Sequence, residues 1–308
     1  MGREKALLRK HGNSDVPDAA RRALSSHLSD VTRYLTSAAK ASADKPRAVH
    51  RLRISSRHAE AALRFYKPLL SAELATWFRR HLKRIRRAAG EARDLDVLLE
   101  RIHLDKSFSS ARHLSARLQK QRKSAQKPLR GLQRKLGKSG VLRRKTRKLD
   151  RYISRKLSSK KRTTLPDMKS WAMDQIQPVA ADFLSAGEGR LRTSTDLHKL
   201  RIAGKRLRYA LSLVAEVFPL RQLSPLTKEL RQMQKVLGTL CDHAAAIETW
   251  GQLLADVEIP TEQEQLSRVI AAERKSLAAS KTKFRRWWNA LRRRRLRSSL
   301  TTIGLQDG

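Results

Sequence analysis

The chain has little of what most folds use to turn, cross-link or cross a membrane. A single cysteine, Cys241, in 308 residues excludes intramolecular disulfides and cysteine-built zinc sites. Thirteen glycines and nine prolines fall well below average usage, about 12% of residues for the two together. So few turn-formers in so long a chain mean few, long elements, which are helices. No alternating apolar and polar run is convincing as a strand, and none approaches the roughly 18 apolar residues of a membrane span. The opening residues carry no apolar signal core, and Ala6 stands where a myristoylation signal needs Ser or Thr. Aromatics are 5%, thin for a surface that stacks bases. Acid is short as well: 28 Asp and Glu stand against 69 Lys and Arg, a net charge of +41.

What is present fits a helical, soluble, reduced and cytoplasmic protein. Hydrophobic residues make up 40%, enough to argue against disorder despite the charge, and the length suits one large or two medium domains. A small domain needs a net charge of only about 2–8 for solubility, so a surplus of this size calls for a polyanion to neutralise it. Nucleic acid, an anionic membrane face and inorganic polyphosphate all qualify on charge alone.

The sequence also repeats itself. His50-Arg51-Leu52-Arg53-Ile54 aligns with His198-Lys199-Leu200-Arg201-Ile202, 148 residues later, and Ala62-Leu63 with Ala210-Leu211. Some thirty residues further on, Leu82, Gly90, Asp94 and Glu100 fall on Leu230, Gly238, Asp242 and Glu248 at the same offset. An unchanged offset across two separated blocks reads as a tandem duplication. The expected layout is an N-terminal extension 1–17, a first unit 18–165 and a second unit 166–308.

Apolar residues at steps of three and four predict buried helix faces in both units. In the second unit one face runs Leu197, Leu200, Gly204, Leu207, Leu211, Val214, Phe218, and in the first Val49, Leu52, Ser56, Ala59, Leu63, Tyr66, Leu70. The following helix reads Leu226, Leu230, Met233, Leu237, Leu240 and, earlier, Phe78, Leu82, Ile85, Ala89, Ala92. A preceding one reads Leu24, Leu28, Val31, Leu35 and, later, Ala172, Ile176, Val179, Phe183. Pro46, Pro68, Pro166 and Pro219 sit at segment edges, whereas Pro178 falls inside one and should kink it. Each unit adds a fourth segment, roughly 107–160 and 262–300. The fold predicted is all-α, two pseudo-symmetric antiparallel four-helix bundles.

Beside the apolar face of the second-unit helix, His198, Arg201, Lys205 and Arg208 line up at i, i+3, i+7 and i+10. The first unit has His50, Arg53, Arg57 and Glu60, with Arg64 a turn beyond. His50 to Arg64 covers roughly 21 Å of helix, a row suited to a repeating anion through charge-assisted hydrogen bonds. Such a run is often only a solvated helix flank, but this one borders the buried stripe in both units. A pseudo-twofold axis would set the two rows across a basic groove between the bundles. The next helix adds Arg79, Lys83, Arg86 and Arg93, and the matching one Arg231 and Lys235.

The two histidines are open to three readings. An imidazole beside an apolar face is commonly a core residue. Here an arginine follows each by one turn, which favours phosphate contact, strengthened on protonation. A metal site is the weaker alternative, because His50, His198, Asp94, Asp242 and His243 show no ligand spacing. Helical glycines cost about 1 kcal/mol relative to Ala, so Gly90 and Gly238 suggest close approach, most simply of another helix. Asp94 and Asp242 suit a role orienting basic side chains.

These blocks resemble the CHAD family, the conserved-histidine α-helical domains. Val49-His50-x-Leu52-Arg53, Arg57 and Ala89-Gly90-x-x-Arg93-Asp94-Leu95-Asp96-Val97-Leu98 are similar to its first half. Leu197-His198-x-Leu200-Arg201-Ile202-Ala203-x-Lys205-Arg206-Leu207-Arg208-Tyr209 and Leu237-Gly238-x-x-x-Asp242 are similar to its second. The resemblance implies two pseudo-symmetric helical bundles and a basic central groove that binds inorganic polyphosphate without hydrolysing it. Carried over residue by residue, the implied binding positions are His50, Arg53, Arg57, His198, Arg201, Lys205, Arg206 and Arg208. His58 and Glu60 depart from the pattern by standing where basic residues are usual. Glu60 there either weakens the first row by repelling phosphate or pairs with Arg64 at i+4. Some relatives also carry a triphosphate-tunnel enzyme domain. Glu262-x-Glu264 is followed here by Leu266 rather than that domain's lysine, so the chain reads as the stand-alone form.

Two further stretches are strongly basic. Arg117 to Arg162 holds 20 Lys or Arg and one acid, Asp150, in 46 residues, and Lys281 to Arg297 holds nine and no acid. Leu129, Leu132 and Leu136, like Phe284, Trp287, Trp288 and Leu291, still permit amphipathic helices. The reading is an anion collector or a second surface for nucleic acid or acidic lipid, with 137–163 disordered until a ligand binds. The function expected is non-catalytic polyphosphate binding, without cofactor or metal, in the cytoplasm and at polyphosphate granules. Sequence-nonspecific nucleic-acid binding is the main rival, and it lacks a reading module. A metal-dependent phosphohydrolase would need a carboxylate cluster or an activated nucleophile, and neither is visible in the sequence. A scaffold role in granules is compatible with the same charge.

Overall fold

Side-chain oxygens start several of the helices. The Asp15 carboxylate accepts from the Asp18 amide at 3.0 Å and opens α1, Val16–Lys40. Asp167 caps α7, Met168–Glu188, through the amides of Lys169 and Ser170 at 2.8 and 3.1 Å. Thr193 and Asp196 form a reciprocal capping box at the start of α8, Ser194–Leu213. The computed structural model describes residues 15–41, 47–104, 112–158, 165–189 and 191–305. Among them there is no strand, and the chain is all-α. Residues 15–165 form one compact unit, and the chain from Pro166 onward belongs to another.

In the first unit α1 is followed by α2, Arg47–Phe65, a 3-10 turn Lys67–Leu69 containing Pro68, and α3, Ala72–Leu104. Then come α4, Arg112–Ala125, α5, Lys127–Leu132, a π-helical turn Gln133–Lys138, and α6, Val141–Ser158. Helix α2 packs between α1 and α3, with α6 on α1 and α4 on α3. In the second unit α8 packs between α7 and α9, Leu220–Ala255. Along α9 lie α10, Pro260–Trp287, and α11, Ala290–Thr302. Helix ends recur at the sequence offset: Lys40 and Glu188, Phe65 and Leu213, and the starts Ala72 and Leu220 are each 148 residues apart.

The cores are the apolar faces read from the sequence. Every residue of the two rows from Val49 to Leu70 and from Leu197 to Phe218 is buried, Gly204 and Ser56 included. So are the α3 and α9 rows and Leu24, Leu28, Val31 and Leu35 of α1. On α7 the row holds except at Val179, which is half-buried. Each fully buried Leu, Phe or Ile contributes roughly 1.5–3 kcal/mol, which offsets the repulsion of the basic surface.

Two expectations need correction. The fourth segment of each unit is not one helix. In the first unit it is α4, α5, the π turn and α6. Pro128 starts α5, and Gly140, at φ 71°, takes the left-handed conformation that ends the π turn. In the second unit Asn289 caps a fresh start, accepting from the Arg292 amide at 2.9 Å, and separates α11 from α10. The stretch expected to be disordered is helical over 141–158, because Leu142, Leu149 and Ile153 are buried on one face; residues 159–163 lie outside the described residues. Helix α7 runs through Pro178, which is exposed, so the backbone bond it cannot make falls on the solvent side. Pro46 and residues 1–14 of the expected extension also lie outside the described residues.

One member of the basic segment is part of the core. The Arg122 and Asp96 side chains are each 1% exposed, and Arg122 Nε lies 2.5 Å from Asp96 Oδ1. Arg122 also donates to the Gln126 side chain, and the Gln126 amide donates to the Ala38 carbonyl. The network ties α4 to α3 and to the end of α1.

Candidate functional site

The apolar stripe of α2 fixes where its basic flank lies, since residues three and four apart share a face. In the first unit Arg53 and Arg57 are half-buried, while His50 and Arg64 are exposed. From α3, Arg86 and Arg93 are half-buried beside the same flank, and Lys83 is exposed. These groups act on one another. Burial pushes the Arg53 guanidinium below its ordinary value, and Arg57, Arg93 and Arg86 push it further, with Asp94 opposing. Burial does the same to Arg86, Glu60 opposes, and Arg57 and Arg64 add to the lowering. At His50 partial desolvation leads and the positive charges of Arg93, Arg57 and Arg53 follow, all lowering its pKa, while Glu100 opposes. The structure therefore gathers His50, Arg53, Arg57, Arg86 and Arg93 into one field of like charge. The Asp94 carboxyl is raised by desolvation, with Arg53 and Arg93 opposing.

A Cβ at Gly90 would come within 3.3 Å of Arg53 Nη1, the end of a flexible side chain from α2. Gly238 has nothing within 4 Å of such a Cβ, and close helix packing does not account for it. Close approach in the second unit occurs at Gly204, where a Cβ would run into the Met233 methyl.

Glu60 is engaged on both sides. Its Oε1 accepts from Arg64 Nη2 at 2.9 Å along α2, and its Oε2 lies 2.7 Å from Arg86 Nη2 of α3. The i+4 pairing is present, and α3 adds a partner that no single-helix reading could supply. His58, the other departure, stands edge-on to His27 of α1 with ring centroids 5.5 Å apart.

On α8 of the second unit Arg201, Lys205 and Arg208 are half-buried and His198 is exposed. Arg201 and Lys205 both bear electrostatically on the Cys241 thiol of α9, whose pKa burial nevertheless raises. Arg201 Nε is buried without a hydrogen-bond partner, as is Arg86 Nη1 in the first unit. Arg208 Nε donates to Gln234 Oε1 at 2.8 Å, and its guanidinium lies 4.7 Å from the Tyr209 ring centroid. Arg206 is exposed and sits about 100° round the helix from Lys205, off the row. Arg231 and Lys235 are exposed on α9. Among the described residues no group of three or more His, Cys, Asp or Glu is placed to hold a metal. His243 Nδ1 instead lies 2.5 Å from Glu273 of α10.

The other basic stretches divide by exposure. Arg144, Arg147, Lys148, Arg151 and Arg155 stand exposed on α6, opposite its buried face, while Asp150 accepts from Arg21 at 3.1 Å. On α11, Arg292 is half-buried, pairs with Glu229 at 2.5 Å and covers the Trp287 ring at 4.3 Å, whereas Arg294 and Arg295 are exposed. No described helix is long and apolar enough to cross a membrane.

Comparison with known proteins bears on this arrangement. The family model of the CHAD domain matches residues 22–251. The structure is similar to the crystal structure of the CHAD domain from the plant Ricinus communis, with a TM-score of 0.68 and 18% identity over 94% of this chain and 93% of that one. It is also similar to PptA from Streptomyces chartreusis, with a TM-score of 0.54 and 18% identity over 89% of this chain and 99% of the other. At these identities the likeness is one of fold. No curated protein matches the sequence. The family match spans well over half the chain, including both histidine-bearing helices and their glycine-bearing neighbours, and the chain belongs to the CHAD family.

Proposed function

We propose that the protein binds inorganic polyphosphate along the basic flanks of α2 with α3 and of α8, and holds it without cleaving it. One observation carries this reading. His50, Arg53, Arg57, Arg86 and Arg93 are gathered so closely that burial and mutual repulsion lower the pKa of His50, Arg53 and Arg86. Assembling like charges costs free energy that Asp94 and Glu60 offset only in part and that an incoming anion reduces further, and a linear polymer with a negative charge on every unit neutralises several at once. The half-buried guanidinium groups of Arg53, Arg57 and Arg201 offer it charge-assisted hydrogen bonds. Membership of the CHAD family supports the same ligand.

The chemistry of the flank favours holding over hydrolysis. Cleavage needs a water activated by a metal or a free base, whereas Glu60 is engaged by two arginines and Asp94 lies in the field of two more. A second reading, sequence-nonspecific binding of nucleic acid, is favoured by the exposed arginine and lysine face of α6.

Charge reversal separates a site from diffuse charge. Arg201→Glu with Lys205→Glu should weaken polyphosphate binding at least tenfold in an equilibrium titration. The same changes at the exposed Arg294 and Arg295 should cost less than about twofold, because rim charges far from a contact act mainly on association. Equal losses would mean that the flank is no site.

A further inference from the structure

The first unit's basic flank holds a carboxylate at its centre. Glu60 offers one oxygen to Arg64 of α2 and the other to Arg86 of α3, at 2.9 and 2.7 Å. Two oxygens bridging two guanidinium groups from two helices is the arrangement a bound phosphate would make.

The same pair of positions is tied together in the second unit. Arg208 follows Glu60 by 148 residues and Gln234 follows Arg86 by 148, and Arg208 Nε donates to Gln234 Oε1 at 2.8 Å. The Gln234 amide donates in turn to the Gly204 carbonyl at 3.1 Å, which fixes which end of the side chain faces Arg208. Each tie links the histidine-bearing helix to the next helix, but the charges differ. The first unit has an acid on α2 and an arginine on α3. The second has an arginine on α8 and a neutral amide on α9. The α8 row of His198, Arg201, Lys205 and Arg208 is therefore basic or neutral throughout, while the α2 row is interrupted by Glu60.

We propose that Glu60 is a resident competitor, a carboxylate occupying the place of a phosphate, and that it makes the two flanks unequal. This rests on the polyphosphate reading above and adds an order to it: the α8 flank takes the polymer first and more tightly. On α2 an incoming phosphate either displaces Glu60 from Arg64 and Arg86 or leaves those two arginines unused. Glu60 thereby sets how much of the first unit contributes to affinity.

A helix tie and a competitor predict opposite results for Glu60→Gln. The amide keeps an acceptor for Arg86, as Gln234 does for Arg208, and removes only the charge. Long-chain inorganic polyphosphate should bind the E60Q protein about twofold to fivefold more tightly, the scale of one partly exposed ion pair. The salt slope should steepen by about one, for the extra phosphate neutralised. The reciprocal change, Gln234→Glu, should weaken binding by a similar factor. Unchanged or weaker binding by E60Q at an unchanged melting temperature would overturn the proposal. Undiminished binding by Q234E would overturn it too, whatever Glu60→Gln does to folding. If the wild-type chain does not bind polyphosphate at all, the underlying reading fails rather than this one.

Discussion

His50 carries the proton linkage of the first flank. Its pKa lies below the ordinary 6.5, through desolvation first and then the charges of Arg93, Arg57 and Arg53. In the free protein the unfolded chain therefore takes up the proton first, and stability is lost as the pH falls through about 6.5. Binding reverses the sign. Phosphates that neutralise the three arginines remove their share of the lowering, so the complex takes up a proton that the free protein refuses. We expect proton uptake on polyphosphate binding between about pH 7 and pH 5, seen as a dependence of the calorimetric heat on buffer ionisation and diminished in a His50→Gln variant. Binding with no proton uptake would remove His50 from the contact. The row itself was legible in the sequence, since i, i+3 and i+7 spacing places side chains together on any helix. The direction of the pKa shift was not, because it depends first on how far packing desolvates the ring and then on Arg93 arriving from α3. A costly helical glycine signals close approach, but only the structure shows that the neighbour is the Arg53 guanidinium.

At the scale of elements, the buried faces were readable wherever an apolar row steps by three and four for several turns. The rows of α2, α3, α8 and α9 are buried residue for residue. The reading failed where charge dominates composition. The segment from Arg117 onward looked like one basic surface, yet Arg122 is a core residue paired with Asp96 across α3 and α4. A buried arginine cannot be told from an exposed one by type, only by the carboxylate it meets, and Asp96 is 26 residues away. Removing one partner of a buried ion pair leaves the other charge uncompensated, at about 3–5 kcal/mol. Arg122→Ala should destabilise the protein by that amount in chemical denaturation, whereas the exposed neighbours Lys120 and Lys123 should each change stability by less than about 0.5 kcal/mol. A loss below about 1 kcal/mol at Arg122 would mean that the pair is not buried in solution. The breaks within the fourth segments were missed because single residues make them, Gly140 at positive φ and Asn289 as a cap.

For the whole molecule, the charge of +41 is divided between exposed and half-buried rows. Exposed rows such as that on α6 raise the local concentration of any polyanion and steer association. In the proposed binding mode the half-buried rows on α2, α3 and α8 supply the directed contacts. The CHAD family match covers both histidine-bearing helices. Competition shows which polymer the flanks prefer. Labelled long-chain polyphosphate would be displaced by unlabelled polyphosphate, single-stranded DNA or RNA at equal phosphate and about 150 mM salt, with free phosphate followed in the same samples. Displacement by polyphosphate is expected at concentrations at least tenfold below those needed for nucleic acid, with no phosphate released. Equal displacement by nucleic acid would contradict the specificity claimed for the flanks, and phosphate release would contradict binding without cleavage.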